Sequence, residues 1–243
     1  MSTPINENRS ASEHRFFLSM SLALLAAVLL GFARSFFLRP LFPQWPSPHE
    51  NIFYFHGALF TAWILLLVLQ TSLVTAGRSD LHRRIGPFGG LLAAAMLVIG
   101  VVGALTAASR ATGFVGVPVP PLQFLAIPIF DMVLFPAFVW IGIAKRRDLQ
   151  SHKRWMLLAT VNLVTAAIAR WPGMAPLGPL AFFAVADLFI VALATWDVRT
   201  CGKLHPATTS GGLTIIVSQP LRLAISGTAG WLAFAHWATL LVR

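Results

Sequence analysis

The chain has 243 residues, 57% of them hydrophobic and 11% charged, and its mean hydropathy of +0.75 excludes an ordinary soluble domain. Its net charge of +10 does not indicate a nucleic-acid partner, because the basic residues stand at the ends of apolar stretches, where they meet anionic lipid headgroups. The single cysteine excludes an intramolecular disulfide and a cysteine-built zinc or iron–sulfur site.

Seven apolar stretches approach or exceed the roughly 20 residues that a membrane-spanning helix needs. In chain order they cover residues 16–34, 52–76, 85–108, 122–144, 154–171, 179–197 and 212–240. The first also resembles a signal peptide, but its length favours a retained anchor. The last contains Ser226-Gly227-Thr228, which predicts either one unbroken span or a span to about residue 226 followed by a short eighth segment. We therefore predict an all-α, polytopic transmembrane bundle, with residues 1–15 as a short cytoplasmic tail and 16–243 as one domain.

The distribution of lysine and arginine predicts the orientation of this bundle, because cytoplasmic loops hold an excess of both residues. With the N-terminus inside, twelve basic residues fall in the inner segments. Four fall in the outer loops, namely Arg34, Arg39, Arg110 and Arg170. The sequence therefore predicts a cytoplasmic N-terminus and, with the multi-pass architecture, a protein of the bacterial inner membrane.

Each of the three predicted inner loops is followed by a histidine near the start of the next helix: His82, His152 and His205. Neutral imidazole is a common ligand of haem iron and transition metals, and the three side chains are expected at a similar depth. The alternatives are a polar anchor among the lipid headgroups and a proton relay. His56 differs, because it lies near the outer end of the second span and precedes Gly57, which would let a helix or a flat ligand approach closely.

Charged residues within the apolar stretches are the strongest functional signal in the sequence, because a charge in hydrocarbon is costly unless it is paired or functional. Counting 1.5 Å per residue places Asp131, Asp187 and Arg222 near the middle of the fourth, sixth and seventh spans. Asn162 and Gln219 reach a comparable depth. One arginine neutralises one carboxylate, so the second is protonated, holds a cation or is paired from the outer edge. The cluster is either a structural ion pair that joins three helices or a binding site for a proton, a small solute or another ligand.

Two short motifs carry a resemblance to a known class of protein. The first is His82-Arg83-Arg84-Ile85-Gly86, the second is His152-Lys153-Arg154-Trp155-Met156, and Arg170 follows the helix that the second motif begins. This pattern resembles bacterial multi-pass inner-membrane proteins of unknown function, which implies the membrane location but no settled activity. The second motif is also similar to membrane proteins that act in the maturation of haem–copper oxidases.

The sequence has no glycine-rich phosphate loop, H-E-x-x-H or G-x-S-x-G motif, so it does not indicate a hydrolase or nucleotide-binding enzyme of a recognised class. Three other functions fit these observations. The first function is binding or movement of a proton or small solute, with the mid-depth aspartates as acceptors and the arginine as counter-ion. The second is electron transfer or haem handling with haem b on two of His56, His82 and His152. The third is a structural or assembly subunit of a membrane complex.

Overall fold

Backbone amides in hydrocarbon have no water to bond, so long apolar stretches satisfy them internally by forming helices. The computed structural model describes residues 4–45, 50–115 and 117–242, with side chains from residue 11 onward. The helices of these ranges are α1 (Pro4–Phe32), α2 (Asn51–Thr75), α3 (Ser79–Ser109), α4 (Pro121–Phe124), α5 (Ala126–Ala144), α6 (Leu149–Ile168), α7 (Gly178–Cys201), α8 (Pro206–Ser226) and α9 (Ala229–Leu240). The same ranges contain no strand, which confirms the predicted all-α class.

Several of these helices are long and apolar enough to cross a membrane. Within the described residues they are the segments Ala11–Phe37, Asn51–Thr75, Ser79–Ser109, Pro121–Ala144 and Ala175–Cys201. These five coincide with five of the seven predicted spans, and they fit an integral, multi-pass membrane protein. The other two predicted spans form α6 and α8, whose 20 and 21 residues reach about 30 Å but carry more polar side chains. The count of seven is therefore not confirmed.

The last predicted span is interrupted where its sequence suggested a break. Helix α8 ends at Ser226 and α9 begins at Ala229, with the Thr228 hydroxyl accepting a hydrogen bond from the Trp231 backbone N–H at 3.3 Å. The 12 residues of α9 extend for about 18 Å, which is too short to cross a bilayer. The observed arrangement is thus the alternative with a short eighth segment.

Contacts between distant segments show which helix ends lie together. The His82 and His152 ring centroids are 6.2 Å apart, and Lys153 Nζ lies 2.6 Å from Glu13 Oε1 of α1. The same end holds the short loops 76–78, 145–148 and 202–205, and we call it the short-loop end. The opposite end, which we call the long-loop end, holds the arginines that follow α1, α3 and α6. Successive long helices therefore run in alternating directions, as the predicted loop sides require.

Helix α6 occupies the centre of the bundle, where it packs against α1, α5, α7 and α8. Its start is defined by Asp148, whose Oδ1 accepts the backbone N–H groups of Gln150 at 3.1 Å and Ser151 at 3.2 Å. Near its other end, α1 crosses at Gly31, where a Cβ atom would collide with the Ala167 backbone. Small residues at such crossings let helices in a membrane approach closely. The central position explains how α6 tolerates polar residues: few of its side chains face outward.

Candidate functional site

A cavity of about 690 Å³ lies in the long-loop half of the bundle, between α1, α2, α3, α5 and α6. It extends from exposed residues such as Trp45 to Asp131, which is buried on α5. Apolar side chains, including Phe60 and Trp63 of α2, make up most of its wall. Its volume falls in the range of about 300–1,000 Å³ that is usual for small-molecule sites. The structure therefore brings a mid-depth carboxylate into contact with a ligand-sized space.

Asp131 lies at the closed end of the cavity and forms an ion pair with Arg222 that joins α5 to α8. Arg222 Nη1 lies 2.7 Å from Asp131 Oδ1, and both side chains are almost completely buried. The same guanidinium donates to Ser218 Oγ at 2.8 Å and lies over the rings of Phe130 and Phe183, at 5.5 and 5.4 Å from their centroids. A buried charge needs such partners, because desolvation is otherwise expensive. The sequence left open which of the two aspartates Arg222 neutralises, and in the structure it is Asp131.

Asn162 joins this pair from the central helix. Its Nδ2 donates to the backbone oxygen of Asp131 at 3.3 Å, which links α6 to α5. Its Oδ1 is buried without a hydrogen-bond partner among the described residues. Asn162 therefore supports the backbone that carries Asp131, and it retains an acceptor that a polar group could use.

Asp187 and Gln219 form a separate group between α7 and α8. Gln219 Nε2 donates to Asp187 Oδ1 at 2.7 Å, whereas the salt bridge of Arg222 is made to Asp131. Asp187 is only half-buried and does not line the cavity. The five residues predicted as one cluster are therefore divided: Asp131 lines the cavity and is hydrogen-bonded to Arg222 and Asn162, whereas Asp187 of α7 is hydrogen-bonded to Gln219 of α8.

The predicted haem or metal ligands are also divided between the two ends. His56 lines the cavity and stacks on Phe60 with a centroid distance of 4.1 Å, and its Nδ1 has no hydrogen-bond partner in the described part of the chain. The close approach expected at Gly57 is made by the ring of Phe36. His56 is therefore the one of the four predicted ligands that belongs to the cavity.

The other three histidines lie at the short-loop end. The His82 and His152 rings are nearly perpendicular, at 86°, and His152 Nδ1 donates to the Gly142 backbone oxygen at 2.8 Å. His205 Nδ1 instead accepts the Ala207 backbone N–H at 3.1 Å, which caps the start of α8. Within the described residues, no group of three or more His, Cys, Asp or Glu side chains could hold a metal ion. The structure therefore places His82 beside His152, whereas His205 caps the start of α8.

Sequence reasoning missed a second buried ion pair, which lies at the short-loop end. Arg154 of α6 donates to Asp197 Oδ1 of α7 from Nε at 3.0 Å and from Nη2 at 2.5 Å. Asp197 Oδ2 accepts Thr208 Oγ1 at 2.5 Å and the His205 backbone N–H at 3.1 Å. Arg154 was counted among the twelve inner basic residues and as part of the second histidine motif, and not as a partner of an acidic residue. One signal could have indicated the pair. Arg154 lies about one turn inside a predicted helix, and Asp197 lies at a similar depth near the end of the following helix.

Comparison with known proteins finds no family, no curated protein and no solved structure that matches this chain. The resemblance carried by the two histidine motifs therefore stays a prediction. The function has to be argued from the geometry of the cavity and of the side chains that line it.

Proposed function

We propose that this protein is an integral membrane protein that binds a small solute in the long-loop cavity, with the Asp131–Arg222 pair at its closed end. The observation that carries the proposal is the continuity of a ligand-sized, mostly apolar cavity with a buried carboxylate. A purely structural ion pair needs no such cavity beside it. The remaining exposure of Asp131, 5%, faces a space in which a solute could meet it.

The proposal includes the topology predicted from the sequence: seven spans, a cytoplasmic N-terminus and the bacterial inner membrane as location. Two observations support it. Helices α6 and α8 are about as long as a bilayer core is thick and pack among the more apolar helices. The short-loop end gathers basic residues from all three short connections, which is the charge pattern of a cytoplasmic face. The cavity then faces the outer leaflet.

A titration of detergent-purified protein with 1-aminoanthracene, a neutral apolar fluorophore, tests the proposal. Gly103 lies on the cavity wall, where a new Cβ would be at an ordinary contact distance of 3.5 Å from His56 Nδ1, so Gly103→Leu adds its side chain at the cavity. Gly86→Leu adds the same side chain to the same helix at a position with no neighbour within 4 Å. We expect saturable binding that Gly103→Leu weakens at least about tenfold and Gly86→Leu leaves unchanged. Absence of saturable binding, or equal binding by all three proteins, would overturn the proposal.

Haem b binding is a second candidate, favoured by the pairing of His82 with His152. The bond from His152 Nδ1 to the Gly142 carbonyl leaves Nε2 for a metal, as a hydrogen bond from the other ring nitrogen does in known metal sites. A dithionite-reduced minus oxidised absorbance spectrum of the purified protein tests it. A stoichiometric b-type signal that is lost in His152→Ala supports haem, and a colourless protein excludes it.

A further inference from the structure

The wall of the cavity changes character toward the long-loop end, where arginines replace apolar residues. The four arginines that line this part, which we call the arginine rim, are Arg34, Arg39, Arg110 and Arg170. They come from the segments that follow α1, α3 and α6, so separate parts of the chain converge on one opening.

Each guanidinium of the arginine rim lies over an aromatic ring. The distances from Cζ to the ring centroid are 4.7 Å for Arg34 on Trp45, 5.5 Å for Arg39 on Tyr54, 4.7 Å for Arg110 on Phe53 and 4.8 Å for Arg170 on Phe32. An aromatic ring attracts a cation that lies over its face. Two of the arginines also donate to backbone oxygens, Arg110 to Gly113 and Arg170 to Ala166. These contacts restrict the long side chains in advance of any ligand.

The rim carries more positive than negative charge. Asp131 is the one acidic residue among the described side chains that line the cavity, and Arg222 neutralises it from behind. Near the rim, Glu50 lies 3.3 Å from Arg110 and offsets part of the positive charge of the four arginines. An electropositive opening above a mostly apolar interior favours a ligand with negative charge at one end.

We propose that the solute is an anionic amphiphile whose apolar body fills the cavity and whose carboxylate or phosphate head is bound by the arginine rim. The inference rests on the proposed function, and it adds the chemical class of the ligand. Arginine suits this role because its fork of N–H donors matches the oxygen pairs of carboxylate and phosphate. Arginines at the end of a membrane bundle also lie where headgroups of the lipid are found.

Two fluorescent probes separate the inference from the function on which it rests. The first is cis-parinaric acid, which has an apolar chain and a carboxylate, and the second is its neutral methyl ester. Both are titrated into the full-length protein in nanodiscs of zwitterionic phosphatidylcholine. We expect the acid to bind at least about tenfold more tightly than the ester.

Substitutions then locate the head-binding groups. The double variant Arg34→Gln with Arg170→Gln should weaken binding of the acid at least about tenfold and binding of the ester by a much smaller factor. Arg84→Gln with Arg146→Gln removes the same charge from exposed positions at the short-loop end, and it should change neither probe. Lysine at positions 34 and 170 should restore part of the affinity for the acid, and retained ester binding shows that each variant is folded.

Other outcomes of these titrations would overturn the inference, either together with the proposed function or alone. If neither probe binds, the proposed function fails and the inference fails with it. If both probes bind equally and the rim variants bind the acid normally, the cavity binds solutes but the anionic class is wrong. Dodecyl phosphate should displace the acid while inorganic phosphate at the same concentration should not. Displacement by inorganic phosphate would show that the site binds a free anion, and it would contradict the proposal that the ligand is an amphiphile.

Discussion

Arg222 of α8 reaches Asp131 of α5 across 2.7 Å at the point where the long-loop cavity ends. The two residues are 91 positions apart in sequence, and their pairing places a neutralised carboxylate against a ligand-sized space. Its two roles, holding helices together and forming the end of a binding site, make different predictions for stability and for binding.

The structural role predicts strong coupling between the two residues. Asp131→Leu or Arg222→Met alone leaves a buried charge without its partner, and each should lower the free energy of unfolding by about 3–5 kcal/mol. The double variant replaces the pair with apolar side chains and should recover most of that loss. Denaturation of each protein in detergent micelles gives the four values of this double-mutant cycle. Losses that simply add in the double variant would contradict the coupling.

The missed pair at the short-loop end predicts a contrast between two aspartates of the same helix. Asp197→Asn leaves the buried Arg154 without a counter-ion and should cost about 3–5 kcal/mol of unfolding free energy. Asp187→Asn keeps an oxygen that can accept from Gln219, and its site is half-buried, so it should cost no more than about 1 kcal/mol. The same denaturation assay measures both. Equal losses would show that Arg154 does not depend on Asp197.

The His205 cap predicts a pH-dependent stability. Burial, together with the charge of Arg154, lowers the pKa of His205 below its ordinary value, and protonation would also remove the lone pair that accepts the Ala207 N–H. The unfolded chain therefore binds the proton more readily than the folded protein. The contribution of His205 is complete above the unfolded pKa of about 6.5 and declines as pH falls below it.

The measurement for His205 is the unfolding free energy of wild type and His205→Asn between about pH 5 and pH 8. Asparagine also caps helices but does not titrate in this range, so it serves as the matched control. The advantage of wild type over the variant should shrink below about pH 6.5. A difference that stays constant across the range would rule out this titration.

The crossing of α1 and α6 predicts a different result at each of two glycines. Gly31→Ala places a methyl group against the Ala167 backbone and should destabilise the protein by about 1–3 kcal/mol. Gly86→Ala lies in helix α3 with nothing within 4 Å, and it should be neutral or stabilising by up to about 1 kcal/mol because alanine favours helix. Melting temperatures of the two variants check the contrast. If both substitutions stabilised the protein, α1 would not approach α6 closely at Gly31.

Counting residues along apolar helices predicted much of the framework. It predicted that Arg222 neutralises one of the two mid-depth aspartates, because the depth of a residue follows directly from the 1.5 Å rise of a helix. The apolar stretches predicted the all-α class, and Ser226-Gly227-Thr228 left open the break that the structure shows. Depth does not tell which face of a helix a residue occupies. For that reason Asp187 was grouped with Arg222, although it faces Gln219.

The cavity and its charged groups were not predictable in the same way. Arg154 and the arginine rim were counted as charges that orient the chain in the membrane. Such a count does not predict contacts of arginine with aromatic rings or salt bridges between helices. A cavity depends on how side chains from five helices fail to fill a common space. This property belongs to the packed bundle and has no local pattern in the sequence.

The decisive measurement is the titration with 1-aminoanthracene, because it asks whether the long-loop cavity admits a solute at all. We expect one saturable site in the wild-type protein and at least about tenfold weaker binding in Gly103→Leu, with Gly86→Leu unchanged. Fluorescence that rises without saturation, or that is the same in Gly103→Leu as in wild type, would contradict it.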